Sequence, residues 1–338
     1  MTTIHDVARH AGVGAATVSR VLSGKGYVKL ETRERVMQSI RKLNYTPNEM
    51  ARNLYFRKSG IIAVIVPDLS HPFFSEVVNA IEAALREEGY QTMVCNSFSD
   101  RNYELRYLEM LKRQQVDGII FGAHTSLASE QYRNLERPVI GLDRRLADNI
   151  PIIAADHEEG GRLAAEEMLR SGCKKIIQLG DIEDSVATLS IRRHAVFREI
   201  VEEAGISCLS YPKHPENYTF DAFYETAACM FAEYPDTDGV FGTDLYAAAA
   251  LRYALEHGIR VPEDLKIIGY DGTEMMRFLY PDITLISQPI EDLAKESVRM
   301  ITEMIRGKEI PQKRVVLPIT LRRGSTTAGD RNAAADSI

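Results

Sequence analysis

Thr3-Ile4-His5-Asp6-Val7-Ala8-Arg9-His10-Ala11-Gly12-Val13-Gly14-Ala15-Ala16-Thr17-Val18-Ser19-Arg20-Val21-Leu22 is the stretch that decides how this chain is read. A hydroxyl at Thr3 followed three residues later by the acid Asp6 is a capping-box pattern, so a helix is predicted from Ile4, with Ile4, Val7, Ala8 and Ala11 on one apolar face. Gly12-Val13-Gly14 then makes a turn too short for anything but a second helix crossing the first, and Ala15 to Leu22 supplies it, which is helix-turn-helix spacing. In that second helix Val18, Val21 and Leu22 face inward and leave Ala15, Ala16, Thr17, Ser19 and Arg20 outward. Small, polar and basic side chains suit a helix lying in the major groove, where Arg reaches guanine O6 and N7 and Ala meets a thymine methyl. A third helix, about Glu31 to Asn44, closes the bundle through Val36, Ile40 and Leu43. Pattern alone would fit any three short amphipathic helices.

Charge separates the two readings. Residues 1–60 hold eleven Lys or Arg against four Asp or Glu, a net +7, whereas the whole chain carries −7 and residues 61–338 therefore −14. A basic head on an acidic body points to a polyanionic partner for the head only.

The 338 residues suffice for two or three domains, and 45% hydrophobic with 26% charged residues is the balance of a soluble protein with a large core. The N-terminus is polar, without an apolar run after a basic start, and no stretch approaches membrane-spanning length, so the expected location is cytoplasmic and nucleoid-associated. Cys95, Cys173, Cys208 and Cys229 are far apart, with no CxxC spacing, and read as reduced core or surface residues instead of disulfides or metal ligands.

Past a linker at Phe56-Arg57-Lys58-Ser59-Gly60, Ile61 to Val66 reads as a fully buried strand. Strand-like runs follow at Gln91–Cys95, Gly118–Phe121, Pro138–Gly141, Ile152–Ala155, Lys175–Leu179, Gly239–Gly242 and Lys266–Tyr270. Helical periodicities alternate with them at about Phe74–Glu88, Asn102–Gln114, Glu158–Ser171, Arg192–Ala204, Phe220–Glu233 and Tyr246–His257. The alternation implies doubly wound parallel sheets, and the number of units implies two lobes. The change of lobe fits best near Glu159-Gly160-Gly161, the helix Ile290–Arg306 should return to the first lobe, and a last strand, Arg314–Leu321, should finish near the second. Two lobes joined by several crossings enclose a cleft that can close on a ligand.

These residues also resemble a known family. Thr3-Ile4-His5-Asp6-Val7-Ala8, Ala11-Gly12-Val13, Thr17 to Leu22 and Tyr45-x-Pro47-Asn48-x-x-Ala51-Arg52-x-Leu54 are similar to the head of lac repressor and galactose repressor family regulators. The body carries the resemblance on through Tyr107 to Leu111, Gln115 to Ile120, Pro262 to Asp271 and Gln288-Pro289, with Phe73 to Glu76, Asn96-Ser97 and Ile267 to Thr273 most like sucrose-operon repressors of Gram-positive bacteria. The resemblance implies a two-lobed effector domain of the periplasmic-binding-protein type behind an all-α DNA-binding head. It also implies a hinge helix that forms when two subunits sit on the operator, started by Pro47 and Asn48, with Leu54 wedged into the minor groove, the known use of apolar wedges. The DNA-binding set is then Thr3, Ala15, Ala16, Thr17, Ser19, Arg20, Asn48, Ala51 and Leu54. Gly14 stands where the family usually has a capping Ser, a loss of only a few tenths of a kcal/mol. The expected domains are 1–46 for the head, 47–59 for hinge helix and linker, 60–158 with 290–313 for the first lobe, 159–289 with 314–325 for the second, and 326–338 for a disordered tail.

Ligands of doubly wound sheets sit outside the carboxyl ends of the strands, which marks Asp68 to Phe73, Asp143, Thr243-Asp244 and Asp271. Acids there suit a polyhydroxylated sugar, because carboxylates and guanidinium groups make strong charge-assisted hydrogen bonds to hydroxyls. Position-by-position transfer from the family implies Asp143, Arg193, Thr243, Asp271 and Gln288 as polar effector contacts, and His71, Phe73 and Tyr218 as shape-filling or stacking ones. Each has a blander reading. Asp143 and Asp271 could cap following helices, Arg193 could be a solvated charge beside Arg192, and Tyr218 could be plain core. Val196 replaces a Gly usual in the family, which bears on packing beside Arg193.

No G-x-S-x-G elbow, P-loop or H-E-x-x-H occurs, and Glu158-Glu159-Gly160-Gly161 lacks phosphate-loop spacing, so neither enzyme chemistry nor a cofactor or metal is expected. The reading is a homodimeric repressor of a sugar-utilisation operon, with palindromic operator DNA and a sugar effector as partners and no membrane. No apolar heptad follows Thr327, so a tetramerising tail is not expected. The alternatives are a corepressor-dependent catabolite regulator answering to a phosphoprotein or purine, and a sugar-binding transport protein.

Overall fold

The structure is a computed structural model that describes residues 2–23, 26–45, 58–122, 127–133, 135–180, 188–211 and 218–327. It divides into two compact units, Met1–Ser59 and Gly60–Ile338. The proposed hinge-helix residues Asn48, Ala51 and Leu54 lie outside the described residues.

In the first unit α1 (Ile4–Ala11), α2 (Ala15–Ser23) and α3 (Leu30–Lys42) form a bundle. Helix α1 starts where the sequence places it, because Thr3 and Asp6 close a reciprocal cap. The Asp6 amide donates to Thr3 Oγ1, while Thr3 N and Oγ1 donate to Asp6 Oδ2 at 3.0 and 2.7 Å. Those bonds to the charged carboxylate hold Asp6 below the usual carboxylate range. Gly12 ends the helix in the left-handed region that glycine enters without strain. The bundle closes on Val7, Ala8, Ala11, Val18, Val21 and Val36. One buried polar link is absent from the apolar pattern. Ser39 Oγ donates to Arg35 O at 2.8 Å, so it accepts from His10 Nδ1 at 2.9 Å, which fixes the His10 tautomer.

The second unit has two six-stranded sheets. The first, in the order β11-β5-β4-β3-β1-β2, is built from β1 (Ile61–Val66), β2 (Gln91–Asn96), β3 (Gly118–Phe121), β4 (Val139–Leu142), β5 (Ile152–Ala155) and β11 (Arg314–Leu317), all parallel. Helices α4 (Pro72–Glu87) and α11 (Ile290–Ile305) cover one face through Val77, Ile81, Leu85, Leu293 and Ile301. Helix α5 (Arg101–Lys112) and the short α6 (Glu130–Arg133) cover the other through Leu108, Leu111 and Tyr132. The second sheet, in the order β12-β10-β9-β8-β6-β7, comprises β6 (Lys175–Leu179), β7 (Ser207–Ser210), β8 (Gly239–Thr243), β9 (Lys266–Asp271), β10 (Thr284–Ser287) and β12 (Thr320–Arg322). Among the described strands only β12 runs antiparallel to its neighbour. Helices α7 (His157–Arg170) and α8 (Arg192–Glu203) cover one face, and α9 (Phe220–Glu233) and α10 (Asp244–Glu256) the other.

Among the described residues the chain crosses between lobes three times, after β5, after β10 and after β11. Two expectations at the C-terminal end are corrected. The single strand Arg314–Leu321 is two strands: β11 pairs with β5 in the first sheet, and after Pro318-Ile319 β12 pairs with β10 in the second. A proline cannot donate to a ladder, so the strand breaks there and residues 314–317 stay with the first lobe. Thr326 and Thr327, placed in a disordered tail, are buried. Thr326 Oγ1 donates to Ile267 O and accepts from the Thr284 amide, and Thr327 Oγ1 donates to Glu167 Oε1 at 2.7 Å. Residues 328–338 lie outside the described residues. Strands β7 and β10 carry little strand signal in the sequence. Both are four residues long and include Ser, Cys or Thr, and β7 is a half-buried edge without an apolar run.

Candidate functional site

In both sheets the strand order reverses beside the first strand, between β1 and β3 and between β6 and β8, and ligands bind at such switch points. The carboxyl ends of the two sheets face one cavity of about 510 Å3, a size that holds a small organic ligand. Its walls include all eight residues singled out from the sequence: His71, Phe73, Asp143, Arg193, Tyr218, Thr243, Asp271 and Gln288.

Asp143 follows β4 and is buried, with φ +53°. It caps no helix. Its Oδ1 accepts from the Ala155 amide and from His157 Nε2, each at 3.0 Å, which turns the carboxylate toward the cavity. Asp271 ends β9 with φ +112° and also caps no helix, because Thr273 occupies the N-cap of the 3₁₀ turn that follows. Asp271 Oδ1 accepts from Gln288 Nε2 at 2.8 Å, while Gln288 Oε1 is buried without a partner among the described residues. Arg193 is only 8% exposed, so it is no solvated surface charge. Its guanidinium lies 4.4 Å over the Tyr270 ring and its Nε donates to His194 Nε2 at 3.3 Å. Arg192, by contrast, points to an exposed ion pair with Glu158. Tyr218 is 36% exposed and therefore not core, and its ring meets buried His71 edge-on at 5.0 Å, a contact between the lobes. Phe73 is buried at the start of α4, and Thr243 sits at the end of β8.

Sequence reasoning missed several walls. Phe98 and Ser99 follow β2 with φ +51° and +54°, and Ser190, Ile191 and Tyr246 line the second lobe's side. Among the described residues six non-glycine positions have positive φ, and four of them, Phe98, Ser99, Asp143 and Asp271, line this cavity. Such strained backbone persists where surrounding structure over-determines it, and it gathers at ligand sites.

Of the neighbouring carboxyls Asp244 and Asp271, the electrostatics favour the charge on Asp271, the one that lines the cavity. Asp244, beside Asp271, accepts from the Gly272 amide at 3.2 Å, the Thr273 amide at 2.7 Å and Thr273 Oγ1 at 2.6 Å. Burial, then the neighbouring carboxylate, pushes Asp244 up to about 8. Burial raises Asp271 only to about 6, because Arg193 and the Gln288 amide oppose it. The cavity offers carboxylate acceptors at Asp68, Asp143 and Asp271, a guanidinium donor and aromatic walls, a set that bonds hydroxyls and covers C–H faces. Among the described residues no group of His, Cys, Asp or Glu is placed to hold a metal ion.

In the head, Ala16, Ser19 and Arg20 are exposed and Ala15 and Thr17 half-buried, so the face of α2 opposite Val18 and Val21 is outward. The Thr3 hydroxyl is committed to the α1 cap at the same bundle's surface. No helix among the described residues is long and apolar enough to cross a membrane.

Comparison with known proteins agrees with this architecture. The family of bacterial regulatory proteins of lacI type matches residues 3–48, and the periplasmic binding protein-like domain matches residues 165–327. The ribose operon repressor of Halalkalibacterium halodurans is 37% identical over 334 residues, covering 98% of this chain and 99% of that protein. The sucrose operon repressor of Streptococcus mutans is 37% identical, covering 95% and 98%. A crystal structure of the lac repressor dimer bound to operator and the anti-inducer ONPF superposes with a TM-score of 0.82 at 26% identity, over 97% of this chain and 99% of that one. The chain belongs to the lacI family of bacterial regulatory proteins, DNA-binding transcriptional repressors and not enzymes.

Proposed function

We propose that this repressor governs a sugar-utilisation operon, and that a sugar bound between the two lobes releases it from DNA. The observation that carries the reading is the convergence of Asp143, Arg193, Asp271 and Gln288 with aromatic walls in one interlobe cavity. The ribose and sucrose specificities in the relatives' names support a pentose or a fructose- or glucose-containing sugar as the ligand class. In this reading Asp143, Asp271 and Gln288 accept or exchange hydroxyl hydrogen bonds, Arg193 donates, Thr243 completes the polar wall, and Phe73, His71 and Tyr218 shape it.

Two heads, contributed by a homodimer, read half-sites of a palindromic operator, since symmetry in the protein requires symmetry in the site. Ala15, Ala16, Thr17, Ser19 and Arg20 enter the major groove, Thr3 lies at the backbone, and Asn48, Ala51 and Leu54 make the hinge contacts. A hundredfold weakening of operator binding by sugar requires a coupling of about 2.8 kcal/mol, within the usual allosteric range. DNase I footprinting of the purified protein on DNA upstream of its own gene, with D-ribose and sucrose added, tests this. A protected palindrome that a sugar erases is expected. Strengthening of the footprint would instead indicate a corepressor, and no footprint at all would overturn the reading.

A further inference from the structure

A buried hydrogen-bonded chain runs from the cavity of the first lobe into the second, and nothing in the effector reading assigns its central member. His157 is the first residue of α7, immediately past the first crossing between lobes, and is 3% exposed. One ring nitrogen, Nε2, lies 3.0 Å from Asp143 Oδ1, and the other, Nδ1, lies 2.8 Å from the Tyr270 hydroxyl. Asp143 belongs to the first lobe and Tyr270, on β9, to the second.

The direction of the chain follows from the donors available. A carboxylate accepts only, so His157 Nε2 carries the proton and donates to Asp143. The other nitrogen, Nδ1, is then left to the Tyr270 hydroxyl, which can donate to it or accept from it. Tyr270 is fully buried, and its ring is the platform under Arg193 at 4.4 Å. Arg193 Nε donates to His194 Nε2, which leaves His194 Nδ1 to donate to Gln178 Oε1 at 3.2 Å. Two runs of hydrogen bonds thus diverge from the Arg193–Tyr270 stack, one from Tyr270 through His157 to Asp143 and one from Arg193 through His194 to Gln178.

The glycine pair that the sequence left unexplained makes room for this chain. A Cβ on Gly160 would stand 2.6 Å from the Tyr270 hydroxyl, and one on Gly161 would stand 2.4 Å from Arg193 O. Glycine at these two positions lets the start of α7 close over Tyr270 and against the backbone of α8.

We infer that His157 is a positioning residue that holds the cavity-facing carboxylate Asp143 in register with Tyr270 and Arg193, so that a ligand gripping Asp143 and Arg193 together also sets the angle between the lobes. His157 does not line the cavity. It acts through Asp143, and its loss should damage the transmission of binding more than binding itself. The inference rests on the sugar-released repressor reading.

The test is operator binding by fluorescence anisotropy, with and without saturating D-ribose or sucrose, together with calorimetric binding of the same sugar, on wild type, His157→Phe and His157→Gln. Phe keeps the ring volume but removes both hydrogen bonds, whereas Gln retains one donor and one acceptor. His157→Phe should cut a sugar effect of about a hundredfold on operator affinity to below about tenfold, with sugar affinity reduced by less than that and operator affinity without sugar unchanged. His157→Gln should restore most of the effect. Undiminished coupling in His157→Phe would overturn the inference, as would a parallel loss of thermal stability and of both binding activities that His157→Gln does not rescue. A wild type whose operator binding ignores both sugars would instead overturn the functional reading, so the two failures are distinguishable.

Discussion

Replacing Arg193 with Lys should weaken sugar binding about thirtyfold, or about 2 kcal/mol, because Lys keeps the charge but loses the planar fork. Arg193 is held on two sides, by the Tyr270 ring beneath it and by His194 Nε2 at 3.3 Å. Its orientation is thus fixed before a ligand arrives, and little rotamer entropy remains to be lost on binding. A single ammonium cannot bond His194 and reach the ligand at once. One hydrogen bond involving a charged group contributes about 1.5–3 kcal/mol, while most of the cation–π attraction over Tyr270 survives in Lys, which brings the net near the middle of that range. Isothermal titration with the sugar that erases the wild-type footprint measures the loss directly. Operator affinity without sugar, read on the same preparation, should stay within about twofold of wild type, since Arg193 is not in the DNA-binding head. Wild-type sugar affinity in Arg193→Lys would refute the role given to this guanidinium.

Four further outcomes follow from the same geometry. Gly161→Ala places a Cβ against the Arg193 carbonyl and should destabilise the effector unit by about 1–3 kcal/mol in urea unfolding, the usual cost of overpacking; no change would mean that α7 and α8 can separate without cost. Burial raises Glu104 to about 7, above its ordinary 4.5, although Arg144 opposes the rise. The native state therefore binds the extra proton between those values, stability should fall as pH rises through that window, and Glu104→Gln should flatten that slope in pH-dependent chemical denaturation. Because burial raises Asp271 to about 6, sugar affinity measured by calorimetry should decline as pH falls below that value; an increase on acidification would contradict an ionised Asp271 as the acceptor. Arg20→Ala should cost about 1–3 kcal/mol of operator affinity and relax base preference in one half-site position, whereas a purely phosphate-contacting Arg would weaken all sequences alike.

Much of this was legible because the informative residues sit where simple rules apply. Thr3 and Asp6 announce a helix start through a local reciprocal cap, and Val18, Val21 and Leu22 give α2 its buried face without help from elsewhere. Asp143 and Asp271 are found from the rule that ligands lie beyond strand ends. What stayed hidden depends on distant parts of the chain. Ser39 is buried with a hydrogen-bond partner, His10, that lies 29 residues away. Phe98 and Ser99 reach the cavity through left-handed backbone that their side-chain types do not signal. Glycines 160 and 161 looked like a failed phosphate loop, and their purpose is evident only once Tyr270 and Arg193 are seen against them. His157 carried no motif, since its two partners are 14 and 113 residues away.

Coupling between the cavity and the DNA-binding head must be reciprocal, so the most direct measurement is the affinity for the releasing sugar with the repressor free and with it saturated by operator DNA. The sugar should bind the operator complex more weakly than the free protein by the same factor, about a hundredfold, by which it weakens operator binding. Equal sugar affinity in the two states would contradict an effector cavity that controls the grip on DNA.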